Sequence, residues 1–423
     1  MTREATYVRT SCRLCGSISL EKVIGFAPSV PVDNYRPRLH KHIDLKAYGM
    51  DLYLCNSCGH AQLLEVVDPD ILYGDYIYTS TSSPGLEKHF NDLVENIFRN
   101  MRLSPPDLVV DVGCNDGLLL EIIRKKGVRT LGIDPSKAAL QIAVSKGLDT
   151  FESFLTSESA EKVVSLYGNA SLVTATNVFS HADNLNDFAL AVFKLLKHGG
   201  WFVFEVSYLK NLVFSGVWDY VYHEHLAHHS IKPLDLFLRR LGFELTSVEQ
   251  LAIKGGSIRC IAQKAASNTI RNSRISDLIA EEELLGLYAS DTYRRVREFK
   301  SNLKGLTDRV ISSIPRRSLI ASYGASATST VISQELGYAH RVAFVVDDNP
   351  GRQQTLTPGF LAPVLSRQEM ERLNPSLLIM SAWRFRDNIL SQCEKYLDNG
   401  GKIFIPLPSP CLITKNGQVL LDF

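Results

Sequence analysis

Four of the eleven histidines fall in one short stretch, YHEHLAHH, which begins at Tyr222. His223, Glu224, His225, His228 and His229 together offer metal ligands, proton acceptors or a polar surface. A zinc-protease helix would read H-E-x-x-H. His223 and Glu224 begin that pattern, but Ala227 stands where the second histidine belongs. His225 and His228, at i and i+3, could chelate a metal on a helix, yet no further ligand stands at a familiar spacing to complete a catalytic centre. A solvated face would carry charge and would have no need of Tyr220 and Tyr222. General base chemistry is the reading left. A histidine titrates near neutrality and can take a proton from carbon or oxygen. Glu224 or another carboxylate could raise its basicity.

Two CxxC pairs, CRLCG and CNSCG, supply Cys12, Cys15, Cys55 and Cys58. Each pair is followed by a glycine that lets the chain turn tightly around sulfur. Four thiolates in that arrangement suit a structural zinc ion, and a closed four-sulfur site says nothing of chemistry. The long stretch between the pairs can be looped out. Cys114, Cys260, Cys393 and Cys411 stand alone in apolar surroundings, where packing is the expected role.

DVGCNDG runs from an apolar strand through a turn into a helix. Gly113 and Gly117 allow a ligand to approach the backbone closely. Asp134 ends the next strand, where it can bind both hydroxyls of a ribose. A dinucleotide loop needs G-x-G-x-x-G, and its second glycine is Asn115 here. S-adenosylmethionine fits better, since it has no pyrophosphate to cradle. Asp111, Gly113, Asn115, Gly117, Asp134 and Asn177 are the expected cofactor residues.

The elements that must position these groups follow from the pattern of apolar runs. A helix is expected from about Leu86 to Met101. Strands in DLVVDV, VRTLGID, ASLVTAT and GGWFVFEV alternate with helices, which predicts a doubly wound α/β domain. Residues from about Ser273 to Ile314 read as helix. RSLIASYGA, RVAFVV, PSLLIM and GGKIFI then give a second α/β unit. The expected division is 1–80, 81–268 and 269–423. The net charge of +1 excludes a global field for nucleic acid or membrane. No apolar run is long enough to span a bilayer. MTREATYVRT lacks the core of a signal peptide, so a cytoplasmic protein is expected.

The ordered set CRLCG…CNSCGHAQL, YIYTSTSS, DVGCNDG, NVFSHADN, FEVSYL, YHEHLAHHS, KGGSIR and YGASATST resembles the nucleotide-sugar C-methyltransferases over nearly the whole chain. Those enzymes methylate carbon 3 of a 4-keto deoxysugar. The resemblance implies a zinc-binding N-terminal domain, a central class I S-adenosylmethionine methyltransferase domain, and a C-terminal Rossmann-like domain that helps hold the nucleotide. It implies that Tyr76 and Tyr78 reach the active site and that His181 lies beside the sugar. Tyr222, Glu224 and His225 would form the catalytic cluster, with His225 as base and Glu224 orienting it or holding substrate. His223, His228 and His229 would be packing or surface residues. The mechanism implied is proton removal from carbon 3, with the charge moving to the oxygen at carbon 4.

The sequence departs from that family at Thr328, where a lysine is usual, at Lys254 for a histidine, and at Ser207 for a proline. These changes bear on sugar and nucleotide identity more than on the reaction. The alternative is an O-methyltransferase acting on a sugar or other small hydroxyl compound. A zinc-ribbon nucleic-acid binder and an NAD-dependent sugar enzyme are weaker readings, because charge and glycine pattern disfavour them. The expected partner is a nucleotide-linked keto sugar, with no nucleic acid or membrane, and the expected state is a monomer whose three domains cover one another.

Overall fold

Every residue of the strand Leu108–Val112 is buried, and Ala170–Thr176 is buried along all but its last residue. Unbroken apolar runs of this kind belong to strands covered on both faces. The computed structural model, which describes residues 5–37, 46–73, 79–82, 85–265 and 273–423, sets both in the middle of a seven-stranded sheet. Its order is Phe243–Leu251, Ser257–Lys264, Leu196–Ser207, Ala170–Thr176, Leu108–Val112, Arg129–Asp134, Thr150–Glu152. The last five in that order run parallel, and the first two add an antiparallel edge.

Alternation along the strands divides the two faces. Val109, Leu172 and Val203 point to the helices Leu86–Asn100 and Leu118–Arg124. Val110, Val173, Phe202 and Phe204 point to the helices Ser157–Tyr167 and Leu185–Leu195. The helix Leu86–Asn100 buries Leu86, Phe90, Leu93, Val94 and Ile97, a stripe at helical spacing. Strand order reverses between Leu108–Val112 and Ala170–Thr176. A crevice therefore opens beyond their carboxyl ends, at Gly113 and Asn177.

A second seven-stranded sheet follows the same logic near the C-terminus. Val364–Leu365, Phe344–Val346, Ile320–Tyr323, Leu377–Met380 and Ile403–Ile405 are parallel, and the hairpin Cys411–Thr414 and Gly417–Leu420 closes one edge. Its own reversal lies between Ile320–Tyr323 and Leu377–Met380. The helices Ser273–Leu284 and Arg294–Ser312 join the two sheets.

The N-terminal strands Leu20–Ile24, Leu52–Cys55 and Ala61–Leu63 form an antiparallel sheet. Its fourth strand is Ala227–His228, which arrives from the far half of the central region. Arg36–Pro37 pairs with Thr355–Leu356 of the C-terminal part. One apolar cluster contains Val23, Leu54, Trp218, Tyr293, Val331 and Phe404. The three parts thus share a core. The chain adopts the α/β class and the three-part architecture expected from its sequence. Among the described residues, no helix is long and apolar enough to cross a membrane.

Candidate active site

The cysteine knuckles are shaped by the glycines that follow them. Gly16 and Gly59 take left-handed φ values of 77° and 79°, and each donates its N–H back to the carbonyl of Cys12 or Cys55. The four sulfurs lie within 4.8 Å of one another, with Cys12–Cys58 and Cys15–Cys55 each at 3.6 Å. Zinc–sulfur bonds of about 2.3 Å in a tetrahedron place sulfurs about 3.8 Å apart. The residues fit a structural zinc ion. Among the described residues this is the one cluster of metal-ligand type.

The candidate cofactor groove sits at the reversal of the central sheet. Gly113 has φ 70°, and a Cβ there would lie 2.2 Å from Val178. Asn115 and Asn177, at φ 50° and 58°, also hold left-handed backbone that non-glycine residues seldom adopt. The Asp134 carboxylate accepts from the N–H of Asn115 at 2.9 Å and of Ser136 at 2.8 Å. Thr174 donates to Asp111 at 2.6 Å. Burial pushes Asp111 up to about 7, against the Thr174 bond and helped by the charge of Asp134. Burial also raises Asp134. Two carboxylates at the groove floor repel a pyrophosphate and suit a cation with ribose hydroxyls. Ser80 donates its N–H to Asn115 at 3.0 Å, and Thr81 bonds Asp116, so the N-terminal part closes over this loop. Tyr76 and Tyr78 lie outside the described residues.

The groove opens into a cavity of about 820 Å³ walled by all three parts. His181, Tyr222, Glu224 and His225 line it. The segment that carries the last three is a loop leading into the strand Ala227–His228, not a helix, so His225 and His228 do not form a chelating face. The Nδ1 of His225 lies 2.8 Å from the Tyr220 carbonyl, which can only accept. Nδ1 therefore carries the hydrogen, and Nε2 keeps its lone pair. The Tyr222 hydroxyl donates to Nε2 at 3.0 Å. The His181 and His225 rings are 5.1 Å apart. Burial, with the nearby His181 and His228, holds His225 well below the usual histidine range, so it is neutral at pH 7.

Glu224 does not orient His225, because the Tyr220 carbonyl has that place. Its carboxylate is buried without an ion pair among the described residues, and burial beside Asp33 pushes it up to about 8, against Arg352 and Lys254. His223, His228 and His229 are all fully buried, so the surface half of their expected role is wrong and the packing half holds. His223 donates to the Tyr48 carbonyl. His229 stacks on Phe179 with ring centroids 5.3 Å apart.

Other residues that build this cavity carried no signal in the sequence. Arg384 donates both terminal nitrogens to Asp219, at 2.7 and 2.9 Å, and its Nε to the Lys254 carbonyl at 3.1 Å. Trp383 also donates to Asp219. Arg352 grips both oxygens of Asp33 at 2.8 and 2.9 Å. Glu205, at the end of its strand, pairs with His89 and Arg259. Such pairs join residues far apart in the chain, and no spacing rule could have found them. Thr328 stands in the first turn of the helix Ala327–Glu335, whose cap Ser326 also faces the cavity.

Three family models match successive stretches of the chain. They are described as "Putative zinc binding domain" over residues 12–73, "Methyltransferase domain" over 86–248, and "C-methyltransferase C-terminal domain" over 252–408. The chain is 27% identical to the C-methyltransferase NovU of Streptomyces niveus, across 95% of this chain and 96% of that one. A ubiquinone biosynthesis O-methyltransferase of Rattus norvegicus is 30% identical, over 25% of this chain and 34% of its own length. Among solved structures, magnesium protoporphyrin IX methyltransferase from Synechocystis PCC 6803 has a TM-score of 0.34 at 16% identity, covering 43% of this chain and 80% of that one.

Proposed function

The chain belongs to the C-methyltransferase family and is an S-adenosylmethionine-dependent enzyme, and on that premise we propose that it methylates carbon 3 of a 4-keto deoxysugar carried on a nucleotide. The observation that carries this reading is His225 Nε2. It is a buried, neutral, tautomer-fixed base between the cofactor groove and a polar cavity wall. Oxygen methylation needs little from a base, whereas attack by carbon requires that a proton leave it first.

When bound, S-adenosylmethionine supplies an electrophilic methyl group. Asp134 would hold its ribose, and the turn at Gly113 and Asn115 would lie against it. His225 Nε2 takes the proton from carbon 3. To do so it must release the Tyr222 hydroxyl, which then becomes free to donate to the oxygen at carbon 4. His181 stands on the other side of the same ring. Glu224, protonated at neutral pH, is placed to donate to a sugar hydroxyl. The walls exclude water, which keeps the carbanion from simply regaining a proton.

The nucleotide belongs at the C-terminal wall. The helix Ala327–Glu335 begins there, and the N–H groups of Ala327 and Thr328, ahead of the one that Ser326 caps, suit a phosphate. This supports a division of labour over 1–80, 81–268 and 269–423, with nucleotide binding in the last. The zinc takes no part in the chemistry. It would fold the sheet that Ala227–His228 completes two residues after His225.

The test is product analysis. The enzyme is incubated with methyl-labelled S-adenosylmethionine and TDP- or GDP-linked 4-keto-6-deoxyhexose, and carbon NMR locates the label. A label bonded to carbon 3 is expected. A label on oxygen would move the enzyme to O-methylation.

A further inference from the structure

Three cations line the cavity among the described residues: Lys254, Arg352 and Arg384. Both arginines are held by carboxylates, Arg352 by Asp33 and Arg384 by Asp219. Among the described residues Lys254 has no ion-pair partner, and its backbone holds an unusual conformation. It sits at φ 58°, ψ 24°, a left-handed conformation in the middle of a short helical turn. Arg384 Nε fixes its carbonyl, and Ile253 just before it accepts from Gly256 N–H and Ser257 Oγ. The two glycines after it are crowded: a Cβ at Gly255 would lie 2.9 Å from Arg384, and one at Gly256 would lie 2.2 Å from Asn211. Strain of this kind, kept in place by several contacts, clusters at functional sites.

The charged and titratable groups facing Lys254 come from four elements. Glu224 and His225 stand on the catalytic loop, and His181 on the loop after Ala170–Thr176. Glu205 ends the strand Leu196–Ser207, and Arg384 follows Leu377–Met380. Glu205, the carboxylate that acts most on Lys254, is also hydrogen-bonded by His89 and Arg259, and Arg384 is paired with Asp219. Lys254 lines the same cavity as His225, His181 and Glu224, and its charge acts on all three. The other donors there, Tyr222, His181 and the protonated Glu224, are neutral, and His225 is weakened as a base by burial. Moving a proton from carbon to such a base demands a strong counter-charge where the electrons go.

We propose that Lys254 is a catalytic residue whose ammonium group receives the negative charge on the ketone oxygen as His225 takes the proton from the adjacent carbon. This rests on the keto-sugar reading above. The C–H electron pair becomes the new carbon–carbon π bond. The carbonyl π pair moves to oxygen, the proton goes to Nε2, and the ammonium keeps its hydrogens and bonds the oxygen. The carbon–carbon π pair then forms the bond to the methyl group, the S–CH3 bond breaks with its pair left on sulfur as a neutral thioether, and the oxygen pair re-forms the carbonyl.

Exchange of the carbon 3 hydrogen in deuterium oxide reads this step without methyl transfer. Burial holds Lys254 down at about 8, against Glu205 and Glu224 and together with Arg384, so exchange by the natural enzyme should slow as pH rises through about 8. Lys254→Met should lower exchange and methyl-transfer kcat together by roughly 10²–10³-fold, with KM for the sugar little changed. Lys254→Arg keeps the charge and should lose the alkaline limb. Exchange at the natural rate in Lys254→Met, or a rise in KM alone, would overturn the proposal. If Lys254→Met fails to bind S-adenosylmethionine, Lys254→Arg decides: an alkaline limb that persists belongs to Glu224 and overturns it. A natural enzyme that binds S-adenosylmethionine yet neither exchanges nor methylates any keto sugar fails the underlying reading, and the proposal with it.

Discussion

Acid should unfold this protein early, because its core is stocked with neutral histidines. Burial holds His181 and His229 down at about 3 and His223 and His228 down at about 4. His60 and His225 are lowered in the same direction. An unfolded histidine has a pKa of about 6.5. The unfolded chain thus binds more protons, so the stability these groups permit is complete above pH 6.5 and is lost as pH falls toward 4. Each site costs up to about 1.4 kcal/mol per pH unit in that window, and about half that at pH 6.5. For the first four, descent from pH 6.5 to 5 costs about 6 kcal/mol. Asp111 and Glu224, raised to about 7 and 8, act oppositely and return about 4 kcal/mol over the same range. His60 and His225 add to the loss. Against a typical total of 5–15 kcal/mol, the net effect is severe. Calorimetry should show Tm falling steeply between pH 6.5 and 5. His229→Phe, which keeps the stack on Phe179, should reduce the slope by about one proton and so separates this effect from acid release of the metal. A Tm equal at pH 6.5 and 5 would refute the reasoning.

Asp219→Asn strips the paired charge from the buried Arg384 and should cost about 3 kcal/mol in urea unfolding. It should also lower kcat, because Asp219 adjoins the Tyr220 carbonyl that orients His225. Gly113→Ala forces a Cβ against Val178 at φ 70° and should weaken S-adenosylmethionine binding at least tenfold by calorimetric titration. Adding Val178→Ala should restore part of that affinity; no recovery would count against the steric argument. A chelator that removes zinc should abolish activity and reduce near-ultraviolet dichroism, since Ala227–His228 loses its sheet partner. Zinc should restore both.

Chemistry written in contiguous residues was legible. DVGCNDG, followed by Asp134 on the next strand, specifies a strand, turn, helix and acid whose geometry follows from local rules, and the crevice lies where they place it. The cysteine pairs were equally plain, since two knuckles with glycine can close in few ways. The helix expected from Leu86 to Met101 runs over Leu86–Asn100. What pattern could not show is long-range pairing. Ala227–His228 is too short to have a period, yet it ties the loop that carries His225 to the sheet of the cysteine knuckles. Arg384 and Asp219 meet only through tertiary folding. The orienting partner of His225 is a backbone carbonyl, which no side-chain pattern reveals. The charged appearance of His223, His228 and His229 hid their burial, because neutral histidine packs as readily as an aromatic ring.

The most direct test of the account compares the natural enzyme with His225→Gln in deuterium oxide, with S-adenosylmethionine and the keto-sugar nucleotide present. The natural enzyme should exchange one carbon-bound hydrogen beside the ketone and place the methyl group on that same carbon. His225→Gln should do neither while still binding S-adenosylmethionine. Exchange that survives in His225→Gln, or a methyl group found on oxygen, would contradict it.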